Sequence, residues 1–182
     1  MKHSLSKTIV SALAVLAFTA AHAAEHEVQM LDMKGDQPMV FDPPFLKIEP
    51  GDTVTFVPVN KSHWVESKLV PDGAEAFKSE LDQRFSVTLN KEGVYLYVCP
   101  PHQMMNMVGV IQVGKPENLK AATDMAPKLE RRAMSNKGRW EEYLNQIDLS
   151  GVPEIAEIIV KGDTLPKSAA QPGAEKGAAT KP

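Results

Sequence analysis

The chain has 182 residues, with 20 basic against 23 acidic side chains and a formal net charge of −3 at pH 7. That small acidic excess argues against nucleic acid as a partner, and the length suits one domain with its own core. A single cysteine excludes a disulfide framework within the chain.

Lys2 and Lys7 precede an apolar run from Ile9 to Ala21, and Ala21-His22-Ala23 has the small-x-small form of a signal-peptidase site. The run is short for a membrane span, and no later apolar stretch is long enough to cross a bilayer. Residues 1–23 therefore read as an export signal, removed on delivery to the periplasm. Export sharpens the meaning of Cys99, because an oxidising compartment favours disulfides. A lone exported cysteine is buried and inert, pairs between chains, or is held by something other than sulfur.

From Glu27 to Val113 the chain reads as short strands. Val28 and Met30 alternate with polar neighbours, and the runs 45–48, 53–57, 85–89, 94–98 and 108–113 follow. Glu49-Pro50-Gly51-Asp52 and Asn90-Lys91-Glu92-Gly93 supply turns, and the pattern argues for an all-β sandwich. The run from Val94 is apolar almost throughout, as a central strand covered on both faces requires.

After Gly114 the period changes to 3.6. Pro116 and Glu117 open a short helix near Leu119 to Thr123. A second helical stretch runs from about Pro127 to Ile147, where Gly138 is a candidate break. Trp140, Tyr143, Leu144 and Ile147 form one apolar stripe, expected to dock on the sandwich because so short a helix is marginal alone. The reading thus divides the chain into the signal, a β domain over 24–114, a helical extension over 115–149, and residues 150–182. That last part comprises a segment ambiguous between helix and strand and a disordered tail rich in Ala, Pro, Gly and Lys.

The chemistry concentrates in "VYLYVCPPHQMMNMVGVIQVG". Cys99 ends a buried strand, His102 follows the stiff pair Pro100-Pro101, and Met104, Met105 and Met107 precede the returning strand. His63, in "NKSHWVES", follows the strand before it and can meet this loop at one end of a sandwich. Singly, each has a plainer reading: a lone Cys is usually a small buried hydrophobe, a lone His a surface or hydrogen-bonded residue, and clustered Met a core filler. His3, His22 and His26 fall in or beside the signal and are given no role. Together, two imidazoles, a thiolate and a weak axial thioether are the ligand set of a mononuclear electron-transfer copper site. Thiolate and thioether favour Cu(I), imidazoles also suit Cu(II), and a rigid mixed set serves both.

These segments resemble the cupredoxins, the type-1 blue copper proteins. The likeness runs from Glu27 to about Ile147 and includes "VQMLDMKG", "MVFDPPFLKIEPGDTVTFVPVNKSHWVES", "PDGAEAFKSEL" and "YVCPPHQMMNMVGVIQVG". The resemblance implies a Greek-key β-sandwich holding one type-1 copper, with His63, Cys99, His102 and Met107 as ligands. Met105 is the rival axial ligand, since the shorter amicyanin loop would place its Met there; Met107 is preferred because it abuts the returning strand. The resemblance further implies a monomeric one-electron shuttle, not an enzyme, that serves exported redox enzymes or cytochromes, nitrite and nitrous oxide reductases among them by analogy. Electrons would cross at the His102 edge within an apolar patch, for which Pro38, Met39, Pro101, Met104 and Met105 are candidates. Lys34, Lys61, Lys68 and Lys78 would steer acidic partners, although Asp36, Glu66 and Asp72 interleave with them.

Two positions depart from the family pattern. Trp64 follows the first His where Asn is usual, and Pro100 follows the Cys where Ser or Thr is usual. Neither side chain can make the customary hydrogen bond between the ligand segments, and packing of indole on proline would replace it. The rival functions are a copper carrier, which would use the same residues but release the metal readily, and an enzyme subunit. The latter is disfavoured because a binuclear copper centre needs a second Cys and a multicopper oxidase many more His. Zinc gains little from a thioether.

Overall fold

The computed structural model describes residues 23–150. The readings made for residues 1–22 and 151–182 lie outside that range. Strands β1 (Glu25–Lys34) and β2 (Gln37–Asp42) form a hairpin around Gly35, whose φ of +57° a residue with a side chain rarely adopts. Then come β3 (Phe45–Ile48), β4 (Thr53–Pro58), β5 (Glu66–Leu69), β6 (Phe85–Thr88), β7 (Gly93–Val98) and β8 (Val108–Val113). One sheet has the order β2-β1-β4-β6 and the other β3-β8-β7-β5. The pairs β1·β4 and β3·β8 are parallel, so the chain crosses between the sheets as well as turning back in hairpins. This is the Greek-key sandwich that the sequence led us to expect.

β7 explains the architecture best. Tyr95, Tyr97 and, one residue on, Cys99 face the sandwich interior with Val28, Phe41, Phe56 and Ile111. Val94, Leu96 and Val98 face the opposite way, onto Ala122, Ala126, Leu129, Trp140, Tyr143 and Leu144. Every β7 position is therefore buried, and the strand carries no charged side chain on either face. Gly109 of β8 stands opposite Tyr97, and a Cβ there would fall 2.3 Å from the tyrosine Cζ, too close for the two to coexist.

The outer layer consists of α1 (Leu119–Glu130) and α2 (Arg139–Leu144). α1 is longer than expected and passes through Pro127, where the sequence reading placed the start of a second helix. A proline inside a helix costs roughly 3 kcal/mol. Burying Leu129 recovers roughly 1.5–3 kcal/mol, with Ala122 and Ala126 on the same buried face. The second helix starts only after Gly138, which takes a φ of +94° at its N-cap. Trp140, Tyr143, Leu144 and Ile147 are all buried, as their stripe implied. Among the described residues no helix is long and apolar enough to cross a membrane.

Candidate metal centre

Two segments meet at one end of the sandwich. After β4, the chain turns through Ser62 (φ +71°) to His63. Asp82 brackets that residue: its carboxylate accepts from the His63 N–H at 3.1 Å, and its own N–H donates to the His63 carbonyl at 2.8 Å. The second segment leaves β7 at Cys99, makes a 3-10 turn over Pro100–Met105 and returns at Met107. Its ends are pinned to each other, because Cys99 N–H donates to Met107 C=O at 2.9 Å. Within the loop His102 N–H donates to Cys99 C=O at 3.0 Å, and Met107 N–H to His102 C=O at 3.2 Å. Asn106 turns the chain back in the left-handed region, with φ of 56°.

The result is a triangle of donor atoms. Cys99 Sγ lies 3.6 Å from His63 Nδ1 and 3.5 Å from His102 Nδ1, and the two Nδ1 atoms are 3.2 Å apart. The centre of such a triangle is about 2 Å from each corner, within the range of metal–nitrogen and metal–sulfur bonds. Cys99 and His63 are fully buried and His102 is half-buried. Burial pushes the Cys99 thiol up to about 11, while the N–H groups of Trp64 and His102 oppose the shift. Burial, and then the neighbouring His63, hold His102 below its ordinary value. Both effects weaken the charged forms in the absence of a cation, and a metal ion reverses the first by stabilising the thiolate. The donor chemistry fits copper: two neutral imidazoles and one thiolate, with thioethers at hand.

Of the methionines, Met107 is fully buried beside Cys99, Met105 is half-buried, and Met104 is more than half exposed. Only Met107 is tied by its backbone to both Cys99 and His102.

The back of the loop is held by the helical extension, a link that sequence reasoning missed. Arg139 is buried and donates to the carbonyls of Asn106, Met39 and Pro38 at 3.0, 2.7 and 2.8 Å. Asn136 donates to Met105 C=O at 2.8 Å, and Met134 N–H to Met104 C=O at 2.7 Å. Sequence reasoning also missed Asp32, whose Oδ1 lies 2.9 Å from His63 Nε2. Both links join residues far apart in the chain, and no local pattern announces them.

The Trp64 side chain does not bridge the ligand segments by hydrogen bonding, as anticipated. Its indole instead lies under the ammonium of Lys78, 4.7 Å from the ring centroid. Of the other lysines singled out, Lys34 pairs with Asp42 at 2.5 Å and Lys68 with Glu66, so carboxylates on this chain already offset both. Lys61 is exposed.

Comparison with known proteins follows the same lines. Residues 27–114 match the family model described as copper binding proteins of the plastocyanin/azurin family. A pseudoazurin of Paracoccus pantotrophus is 44% identical over 136 residues, covering 72% of this chain and 92% of the relative. A pseudoazurin of Methylorubrum extorquens is 42% identical over 114 residues, covering 61% and 77% respectively. The crystal structure of native pseudoazurin from Hyphomicrobium denitrificans superposes with a TM-score of 0.58 at 35% identity, over 68% of this chain and 98% of that one.

Proposed function

The chain belongs to the pseudoazurin branch of the plastocyanin/azurin family of copper-binding proteins, and from that premise we propose that it is a periplasmic one-electron carrier. Its cofactor is a single type-1 copper, which when bound supplies a one-electron Cu(II)/Cu(I) couple. The proposed ligands are His63, Cys99, His102 and Met107. The observation that carries this assignment is the triangle of Nδ1, Sγ and Nδ1 donors with the buried Met107 strapped to two of its corners.

Each residue has a separate task. Asp82 fixes the His63 backbone, the Cys99–Met107 hydrogen bond closes the loop, and Arg139 holds it from behind. A loop held at so many points moves little when the charge at its centre changes by one. His102, half-buried, is the route by which electrons would reach the surface, through a patch that includes exposed Met104 and Pro101. Exported redox enzymes or cytochromes are the proposed partners, nitrite and nitrous oxide reductases among them. Lys61 and Lys78 are the lysines left to steer them.

The distinguishing experiment is copper retention. An electron carrier keeps its metal in both redox states, whereas a copper carrier releases it in one of them. Transfer to a Cu(I) chelator and to a Cu(II) chelator is expected to be slow, on the scale of hours. Rapid release from either state would favour the carrier reading.

A further inference from the structure

The donor set leaves one contact unexplained. Nε2 of His63 faces Asp32 Oδ1 at 2.9 Å. The His63 side chain has no solvent exposure, while that of Asp32 is 49% exposed. A buried imidazole N–H requires an acceptor, and here that acceptor is a carboxylate.

Asp32 stands there because of the strand register. β1 outruns its parallel neighbour: the last pair is Met30 with Pro58, after which the N–H groups of Val59 and Asn60 both reach Met30 C=O. Asn60 Oδ1 then accepts from the Asp32 N–H at 2.9 Å. The turn that launches the His63 segment thus also pins the Asp32 backbone. The backbones on both sides of the contact are thus held, that of Asp32 by Asn60 and that of His63 by Asp82.

We infer that Asp32 is a positioning residue for the copper centre, holding the His63 ring with its proton on Nε2 and weighting the couple toward Cu(II). This rests on the copper reading above. With the proton drawn to Nε2, Nδ1 is left as a free lone pair aimed at Cys99 Sγ and His102 Nδ1. A carboxylate on the far nitrogen of a metal-bound imidazole raises that ligand's basicity. Its negative charge also favours the more positive metal ion. Because Asp32 is half exposed, water and salt screen part of this effect.

The test is the reduction potential of copper-loaded wild type, Asp32→Asn and Asp32→Ala, with the visible spectrum recorded for each. Asn keeps an acceptor for Nε2–H but removes the charge; Ala removes both. Loss of a carboxylate partner typically changes metal affinity 10–100-fold. Asp32→Asn is therefore expected to keep its colour while the ratio of Cu(II) to Cu(I) affinity falls about tenfold, which raises a one-electron potential by about 59 mV. Asp32→Ala is expected to raise the potential as well and to weaken Cu(II) binding further, because the ring loses its orientation. Added salt is expected to narrow the gap between wild type and Asp32→Asn. Wild-type potentials in both variants would overturn the inference while leaving the copper reading intact. A colourless copper-loaded wild type would instead remove the copper reading, and the inference with it.

Discussion

The main-chain N–H of Cys99 donates to the carbonyl of Met107 across 2.9 Å, joining the two ends of the loop that carries His102. This one bond turns a seven-residue excursion into a closed ring, and it brings the thiol and a buried thioether-bearing residue side by side. The conformation of the ring depends on Asn106, which is 1% exposed and adopts φ of 56°. Its Nδ2 donates to Asn136 C=O at 2.8 Å and to Glu130 Oε2 at 3.2 Å.

Asn106→Ala is therefore expected to cost about 2–3 kcal/mol, combining lost buried hydrogen bonds with a strained left-handed backbone. Asn106→Gly keeps the backbone freedom and is expected to cost less. Urea unfolding of the two variants checks the order. If Ala proved no worse than Gly, the left-handed turn would not be what holds the loop.

Met107 and Met105 compete for the axial role. Met107 is buried beside Cys99, and Met105 is half-buried with its carbonyl tied to Asn136. Met107→Leu is expected to alter the visible spectrum and potential, and Met105→Leu to leave both near wild type. The reverse result would transfer the assignment to Met105.

Tyr97 presents a different case. Its hydroxyl is buried without a hydrogen-bond partner among the described residues, while its ring packs 4.8 Å from Phe41 and 5.2 Å from Phe56. Burial pushes the phenol far above its ordinary value, so it stays protonated. An unpaired buried hydroxyl costs about 1–3 kcal/mol. Tyr97→Phe is therefore expected to raise the unfolding midpoint, and a clear fall would reveal a partner for the hydroxyl.

Asp52 sets an acid limit away from the copper site. It is buried, and the Ala24 N–H first, then His26, hold its carboxyl below the ordinary 3.8. A depressed carboxylate contributes stability that is fully present above the unfolded value and is lost as pH falls through the folded one. The stability gap between wild type and Asp52→Asn is thus expected to be full at pH 7 and to shrink below about pH 4. Denaturant midpoints at several pH values measure it. Cleavage after Ala23, as proposed, would turn the Ala24 donor into a charged amine and widen the gap; a gap independent of pH would contradict the assignment.

What the sequence disclosed, and what it withheld, follows from the distance between interacting residues. Cys99, His102 and Met107 lie within one loop, so their spacing was readable directly, and His63 could be added because it also follows a strand. β7 announced itself through an unbroken apolar run and β8 through one interrupted by Gln112. β2 and β5 did not, because Gln37–Asp42 contains a proline and the residues of Glu66–Leu69 are all half-buried, without alternation. α1 ran past Pro127 because docking on β7 outweighs local helix preference. Asp32 and Arg139 were invisible: one acts 31 residues from its partner and the other reaches back about a hundred. Only register and topology bring them to the site.

The visible absorption spectrum of the copper-loaded, oxidised protein, recorded beside that of Cys99→Ser, tests the central claim most directly. An intense thiolate-to-copper charge-transfer band is expected in the wild type. It is expected to vanish in Cys99→Ser while the far-UV circular dichroism stays that of a β-sandwich. A band that survives in Cys99→Ser, or a folded copper-loaded wild type without one, would contradict the account.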